Sequence, residues 1–277
     1  MDVDQTIPTL SIITICLNDA MGLEKTIASV AQQTFRNFEH LIIDGGSTDG
    51  SAQVIEKNRE KFSYSVSEKD SGRYNAMNKG ITAAKGKYCL FLNAGDYLAN
   101  ASVLATVFTE NKDSDLLYGD LIFEEKNKER TVYRQPPQIS LDYLMRVTLL
   151  HPATFIKTSL FGLYGWYDES FKIGADYDFF LRVLLRHEVT TWYLPYEISV
   201  FNKDGISMDP KFIQLDKEER RRAQKNNLPL LVFDFYQQFA PTRESVEFRM
   251  MEKIRKIPLL RFLQKAFYKL LEIVSPS

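Results

Sequence analysis

Asn93 and Asp96 are hard oxygen donors three residues apart, in the stretch Leu92-Asn93-Ala94-Gly95-Asp96-Tyr97. Such donors suit a magnesium or manganese ion, which keeps part of its water shell and binds substrate phosphates. The apolar run before them, residues 88–92, reads as a buried strand. A strand that delivers polar groups at its C-terminal end is how an α/β sheet builds a ligand site. A plainer role fits the same residues: a strand end followed by a helix cap at Asp96 or Asn100. Two familiar phosphate signatures are missing. No G-x-G-x-x-G follows the first apolar run, and no G-x-x-x-x-G-K-[ST] occurs in the chain. A diphosphate bound without a glycine-rich cradle calls for a cation, which is the service Asn93 and Asp96 would perform.

The elements that must position these donors are legible as apolar runs ending in polar residues. Residues 10–17 are β-branched and almost wholly apolar, as a central parallel strand buried on both faces requires. Asn18-Asp19 then offers a helix cap, with Leu23, Ile27 and Val30 following at helical spacing. A second strand, 38–43, ends at Asp44-Gly45-Gly46, and a third spans 62–66. The loop 67–72 opens a helix running to Ala84, stopped by Gly86. Strands alternating with helices predict a parallel, doubly wound sheet. Right-handed connections then gather Asn18, Asp44, Glu68, Asp70, Asn93 and Asp96 along one edge. Past residue 100, runs at 116–124 and 131–134 flank a polar turn and predict an antiparallel hairpin, so the sheet becomes mixed. His151 leads into a short strand, and Asp176 and Asp178 begin an apolar-rich helix. The expectation is an α/β domain over 1–208: a Rossmann-like nucleotide-binding half at about 8–100, an acceptor half at about 101–208, and helices on both faces. A helical extension follows over 209–277.

The series Ser11 to Asn18, Asp44-Gly45-Gly46-Ser47-Thr48-Asp49-Gly50, Asp70-Ser71-Gly72-Arg73-Tyr74-Asn75-Ala76-Met77-Asn78, Phe91 to Asp96 and Gly174-Ala175-Asp176-Tyr177-Asp178 resembles the family-2 glycosyltransferases of the GT-A fold. It is most similar to bacterial members that assemble surface polysaccharides, and it covers roughly residues 8–208. The resemblance implies roles position by position. Asp44 would hydrogen-bond the donor's base, usually uracil, and Cys16 and Asn18 would line the nucleoside pocket. Arg73 would sit near the base or the diphosphate. Asn93 would belong to both donor site and metal loop, with Asp96 the principal ligand of Mg2+ or Mn2+. Asp176 would be the base that deprotonates the acceptor hydroxyl, with His151 and Asp178 close to acceptor or diphosphate. Relatives commonly carry aspartate at the positions of Asn93 and Gly95, so this metal loop is poor in acids. Ile15 and Leu17 also stand where Pro and Tyr are frequent.

The implied reaction is inverting transfer of a sugar from a nucleotide sugar, chiefly a UDP-sugar, to a saccharide or a polyprenyl-diphosphate-linked acceptor. A single carboxylate at a helix N-terminus suits the base, since the helix dipole keeps it ionised. Two alternatives stay open: a nucleotidyltransferase, though Asn18-Asp19-Ala20-Met21-Gly22 is not the glycine-rich basic loop expected of one, and a donor-binding homologue without catalysis.

Composition bounds the rest. The net charge of −1 over 277 residues gives no general case for nucleic-acid binding. Cys16 and Cys89 lie in apolar runs and read as reduced core residues, and the start lacks a signal peptide's pattern, so a cytoplasmic protein is expected. Lys217 to Arg222 is a charge run of the kind that usually forms a solvated helix face. Across 249–269 seven basic side chains face one acid, Glu252, interleaved with apolar and aromatic residues. A basic amphipathic helix over 245–277 would suit an anionic membrane surface, and so peripheral attachment at the inner face of the cytoplasmic membrane.

Overall fold

The first four apolar runs form the parallel half of one sheet. In the computed structural model these are β1 (Leu10–Cys16), β2 (Phe38–Asp44), β3 (Tyr64–Ser67) and β4 (Tyr88–Phe91). The structure describes residues 7–243 except 110–111, 126, 128, 188 and 203–209. β1 lies between β2 and β4, and β3 pairs with β2, all in parallel. Between them run α1 (Ala20–Ala31), α2 (Ser51–Lys57) and α3 (Arg73–Ala83). Asp19 caps α1 by accepting from the Gly22 amide at 2.9 Å, and Leu23, Ile27 and Val30 are buried as their spacing predicts.

The second half mixes directions. After the two-residue β5 (Tyr97–Leu98) and α4 (Val103–Thr109) come β6 (Leu116–Glu124) and β7 (Arg130–Tyr133), the expected antiparallel hairpin. α5 (Leu141–Arg146), β8 (Thr154–Lys157), α6 (Ser159–Tyr164), α7 (Ala175–Arg186) and β9 (Thr191–Asn202) follow. The sheet order is β3-β2-β1-β4-β8-β6-β9-β5, with β7 beside β6. β8 runs antiparallel to both β4 and β6, and β9 parallel to β6 with register shifts around Asp120. Alternate residues of the buried strands feed opposite layers. Ile13, Cys89 and Phe91 pack with Tyr74 and Met77 of α3 and Phe179 of α7. Ile12, Tyr88 and Leu90 pack with Val103 and Val107 of α4.

Helix α8 (Ile213–Asn227) departs from the expected separate extension. It falls within the first compact unit, which runs to Asn227 rather than ending near residue 208. Its Ala223 is fully buried in the cluster that holds Phe179 and Phe180. The charge run does not form a purely solvated face either. Glu219 is 6% exposed, and Arg220 lies over the Tyr177 ring at 4.5 Å. The second unit, from Leu228, includes α9 (Leu230–Arg243). The expected basic helix over 245–277 lies outside the described residues. Among the described residues no helix is long and apolar enough to cross a membrane.

Candidate active site

The carboxyl ends of the parallel strands β1 to β4 lie along one edge of the sheet, and Cys16, Asn18, Asp44, Asn93 and Asp96 stand at or just past them. Asp44 closes β2 and is fully buried. It accepts hydrogen bonds from the Ser47 amide at 3.0 Å and from the Ser47 and Ser67 hydroxyls at 2.5 Å each. A carboxylate offers about four acceptor positions, so three donors leave one. Asn18 takes the left-handed conformation at φ 53°. Its Oδ1 accepts from the Thr48 amide at 2.8 Å, and its own amide donates to Ser47 Oγ at 2.8 Å. The loop after β1 is thereby tied to the loop after β2. Cys16 is buried beneath them, with Sγ 3.5 Å from Ser51 Oγ. Burial pushes its thiol up, against smaller lowering effects of its hydrogen bonds with Ser51 and Asp19, as suits a packed, unreactive thiol. Arg73 begins α3, and its positive charge is felt at both Tyr74 and Asp96.

Among the described residues, two buried oxygens of the loop after β4 stand without partners. Asp96 Oδ1 accepts from the Asn202 amide at 3.1 Å, whereas Asp96 Oδ2 and Asn93 Oδ1 have no hydrogen-bond partner among the described residues. Gly95 between them has φ +95°, a conformation that side chains disfavour. Thr26 of α1 fixes the loop by donating to the Asp96 carbonyl at 2.6 Å and accepting from the Gly95 amide at 3.1 Å. Burial pushes the Asp96 carboxyl up to about 7, against smaller lowering effects led by the Asn202 amide and His151. An unsatisfied buried polar atom costs about 1–3 kcal/mol, so two together call for a ligand. Hard oxygens of this kind fit a divalent cation. Among the described residues no three His, Cys, Asp or Glu side chains converge on one point.

Beyond that loop a chain of contacts reaches α7. Asn93 Nδ2 is 3.4 Å from His151 Nε2, and His151 Nδ1 is 3.1 Å from Asp176 Oδ2. With the Asn93 amide donating to Nε2, the proton sits on Nδ1 and is given to Asp176. The Tyr74 hydroxyl donates to Asp176 Oδ1 at 3.1 Å. Burial raises the Asp176 carboxyl. The His151 hydrogen bond and charge, the Tyr177 amide and the Tyr74 hydroxyl outweigh it, so the group titrates below its ordinary 3.8. It is therefore ionised at neutral pH. Asp178 is not brought to this row. Two residues further round α7, it accepts from Asn227 Nδ2 of α8 at 2.8 Å and lies 3.8 Å from Arg182. A cavity of about 310 Å³ opens beside Asp176 and His151, walled largely by apolar groups such as Leu121, Phe123, Leu149 and Phe201.

Three residues went unassigned in the sequence. Tyr74 stands inside a recognisable motif but gives no sign of its partner. Glu169 accepts from Asn75 at 3.0 Å and Asn78 at 2.9 Å, fastening the turn before α7 to α3. Glu219 is hidden in a charge run.

The sequence model described as glycosyl transferase family 2 matches residues 11–162. A PGL/p-HBAD biosynthesis glycosyltransferase of Mycobacterium bovis is 35% identical over 205 residues, 72% of this chain and 78% of that protein. Among solved structures, S. aureus TarS 1–349 in complex with UDP-GlcNAc aligns with a TM-score of 0.63 at 20% identity, covering 90% of this chain and 82% of that one. Against a longer TarS chain the coverage is 44% of that chain. The mannosyltransferase PcManGT from Pyrobaculum calidifontis, in complex with GDP-Man and Mn2+, aligns at 0.53 with 14% identity, covering 96% and 89%. These structures share the fold with this chain.

Proposed function

Because the chain belongs to glycosyl transferase family 2, we propose that it is an inverting glycosyltransferase moving a sugar from a UDP-sugar to a hydroxyl of a saccharide or lipid-linked acceptor. The observation that carries this reading is the contact line from Asn93 through His151 to Asp176. It joins the loop with the orphaned oxygens to an ionised carboxylate that lines a cavity.

On the donor side, Asp44 has one acceptor position left for an N–H of the base. Asn18 and Cys16 shape the floor and wall of the nucleoside pocket. Arg73 brings positive charge toward the diphosphate. Asp96 Oδ2 and Asn93 Oδ1 would hold Mg2+ or Mn2+, which supplies charge neutralisation to the departing diphosphate. On the acceptor side, Asp176 takes the proton from the attacking hydroxyl. The hydroxyl oxygen forms its bond to the anomeric carbon as the carbon–oxygen bond to the diphosphate breaks, and the electron pair leaves with the diphosphate. One base acting opposite the leaving group gives inversion in a single displacement. His151 and Tyr74 hold the two oxygens of Asp176 and fix its direction. Asp178 has no part in this scheme.

The apolar walls of the cavity support an acceptor that brings an apolar portion, as a lipid-linked sugar does. That supports a place in cell-surface polysaccharide assembly at the cytoplasmic side of a membrane, with 245–277 as the peripheral contact. The relatives that bind UDP-GlcNAc, or GDP-Man with Mn2+, support the donor and metal classes by analogy of fold. The test is a panel of UDP-, GDP- and dTDP-sugars with Mn2+ or EDTA, reading thermal stabilisation and nucleoside diphosphate release, with product configuration by NMR. Stabilisation by UDP-sugars, dependent on Mn2+, with an inverted product is expected. Retention of configuration, or preference for another nucleotide, overturns the reading.

A further inference from the structure

Glu219 is a buried carboxylate that the proposed chemistry does not touch, and its surroundings are unusual. Oε1 accepts from the Lys172 amide at 2.7 Å, and Oε2 accepts from the Ile173 and Gly174 amides at 3.0 and 2.8 Å. Three successive backbone N–H groups thus converge on one side chain from another helix. They lead directly into α7, whose N-cap is Gly174 and whose second residue is Asp176. Gly174 has no side chain to cap the helix, so the carboxylate of α8 takes that place from outside. The fit is close: a Cβ on Gly174 would lie 3.3 Å from Glu219 Cβ and Oε2. Neighbouring side chains of α8 grip the segment on either side. Arg220 lies over the Tyr177 ring, and Arg222 bonds Asp168 at 3.1 Å and lies 3.7 Å from the centre of the Phe171 ring.

We propose that Glu219 is a positioning residue: by gathering the amides of 172–174 it sets where α7 begins, and so holds Asp176 against His151 and Tyr74. Charge-assisted hydrogen bonds to backbone amides are short and directional, and three of them define the path of the loop. Asp176 lies two residues beyond the last of them. Its contacts with His151 and Tyr74, both at 3.1 Å, leave little room for a shift of the helix start. A displacement of about 1 Å at a reacting group lowers turnover by roughly a hundredfold. The consequence for turnover rests on Asp176 being the base; the positional claim does not.

The test therefore reads position first. The chain has three histidines, so imidazole nitrogen NMR on histidine-labelled protein resolves His151 from His40 and His187. Asp176→Asn supplies the reference spectrum for a weakened His151–Asp176 contact. In Glu219→Ala, the amides of 172–174 should exchange at least about tenfold faster, and the His151 signals should move toward those of Asp176→Asn while His40 stays in place. Glu219→Gln keeps the side-chain volume and one acceptor oxygen, so its spectrum should fall between wild type and Glu219→Ala. It serves in place of the alanine variant if that variant does not fold. His151 signals unchanged while the amides lose protection would overturn the proposal, as would amides whose exchange is unchanged. Failure of the base assignment shows separately, as sugar transfer that survives in Asp176→Asn with Glu219 intact.

Discussion

Asp96→Asn tests whether the orphaned oxygens of the β4 loop are held ready for a cation. Burial lifts the Asp96 carboxyl from its ordinary 3.8 to about 7. The native protein then binds that proton more tightly than the unfolded chain does. Its stabilising contribution is complete below 3.8 and is lost as pH rises through 7. At ~1.4 kcal/mol per pH unit, that interval amounts to roughly 4 kcal/mol. Asparagine keeps an oxygen for the Asn202 amide and has no charge to bury. The assay is urea unfolding of both proteins with EDTA, from about pH 4 to about pH 8. The difference between their unfolding free energies should move by roughly 4 kcal/mol in favour of the variant across that range. Adding Mn2+ with UDP should restore the wild type at the upper end and leave the variant little changed. Two curves that stay parallel within about 0.5 kcal/mol would refute the claim that Asp96 holds an uncompensated buried charge. Selective loss of the Mn2+ effect in the variant is the functional counterpart.

Other substitutions probe separate parts of the account. His40 is buried in β2 against Thr14 Oγ1 at 3.0 Å, and burial lowers it from 6.5 to about 3. Its contribution is complete above 6.5 and is lost as pH falls, so relative to His40→Gln the wild type should lose roughly 3 kcal/mol by about pH 4.5 in urea unfolding. Asn93→Asp adds a charge to the acid-poor loop and should tighten Mn2+ binding in the presence of UDP by about tenfold in calorimetry; unchanged affinity removes Asn93 from the metal site. Gly80→Ala would place a Cβ 2.4 Å from Ile13 Cγ2. It should destabilise the protein by about 1–3 kcal/mol in urea unfolding, because α3 must move off β1.

The parallel half was legible because each strand is a local apolar run with a polar end. Residues 10–17 and 88–92 announce burial on both faces, and the crevice follows from chain direction alone. The hairpin of β6 and β7 was legible for the same reason, its two runs flanking one short polar turn. What stayed hidden depends on distant pairing. The insertion of β8 between β4 and β6 joins residues such as Cys89 and Ile156, and no local pattern encodes it. β5, two residues long, is a strand only because β9 lies beside it. The site shows the same division. Asp44 and Asp96 stand at strand ends where a sequence reading looks for them. The partnership of Asp176 with His151 spans 25 residues, and that of Tyr74 with Asp176 spans 102. Asp178 was expected beside Asp176, close to acceptor or diphosphate, but two residues on a helix turn a side chain to nearly the opposite face, here toward α8. Glu219 was least legible. A carboxylate among Lys217, Glu218, Arg220 and Arg221 looks solvated until the fold brings three amides to it.

Asp176 acting as the base, apart from a β4 loop that serves the donor, is the division of labour on which the proposed mechanism rests. Steady-state transfer and UDP–Mn2+ binding, measured side by side on wild type and Asp176→Asn, address it most directly. In Asp176→Asn turnover should fall by about 10² to 10⁴ while UDP–Mn2+ affinity stays within about twofold. Transfer retained at wild-type rate, or lost together with donor binding, would contradict it.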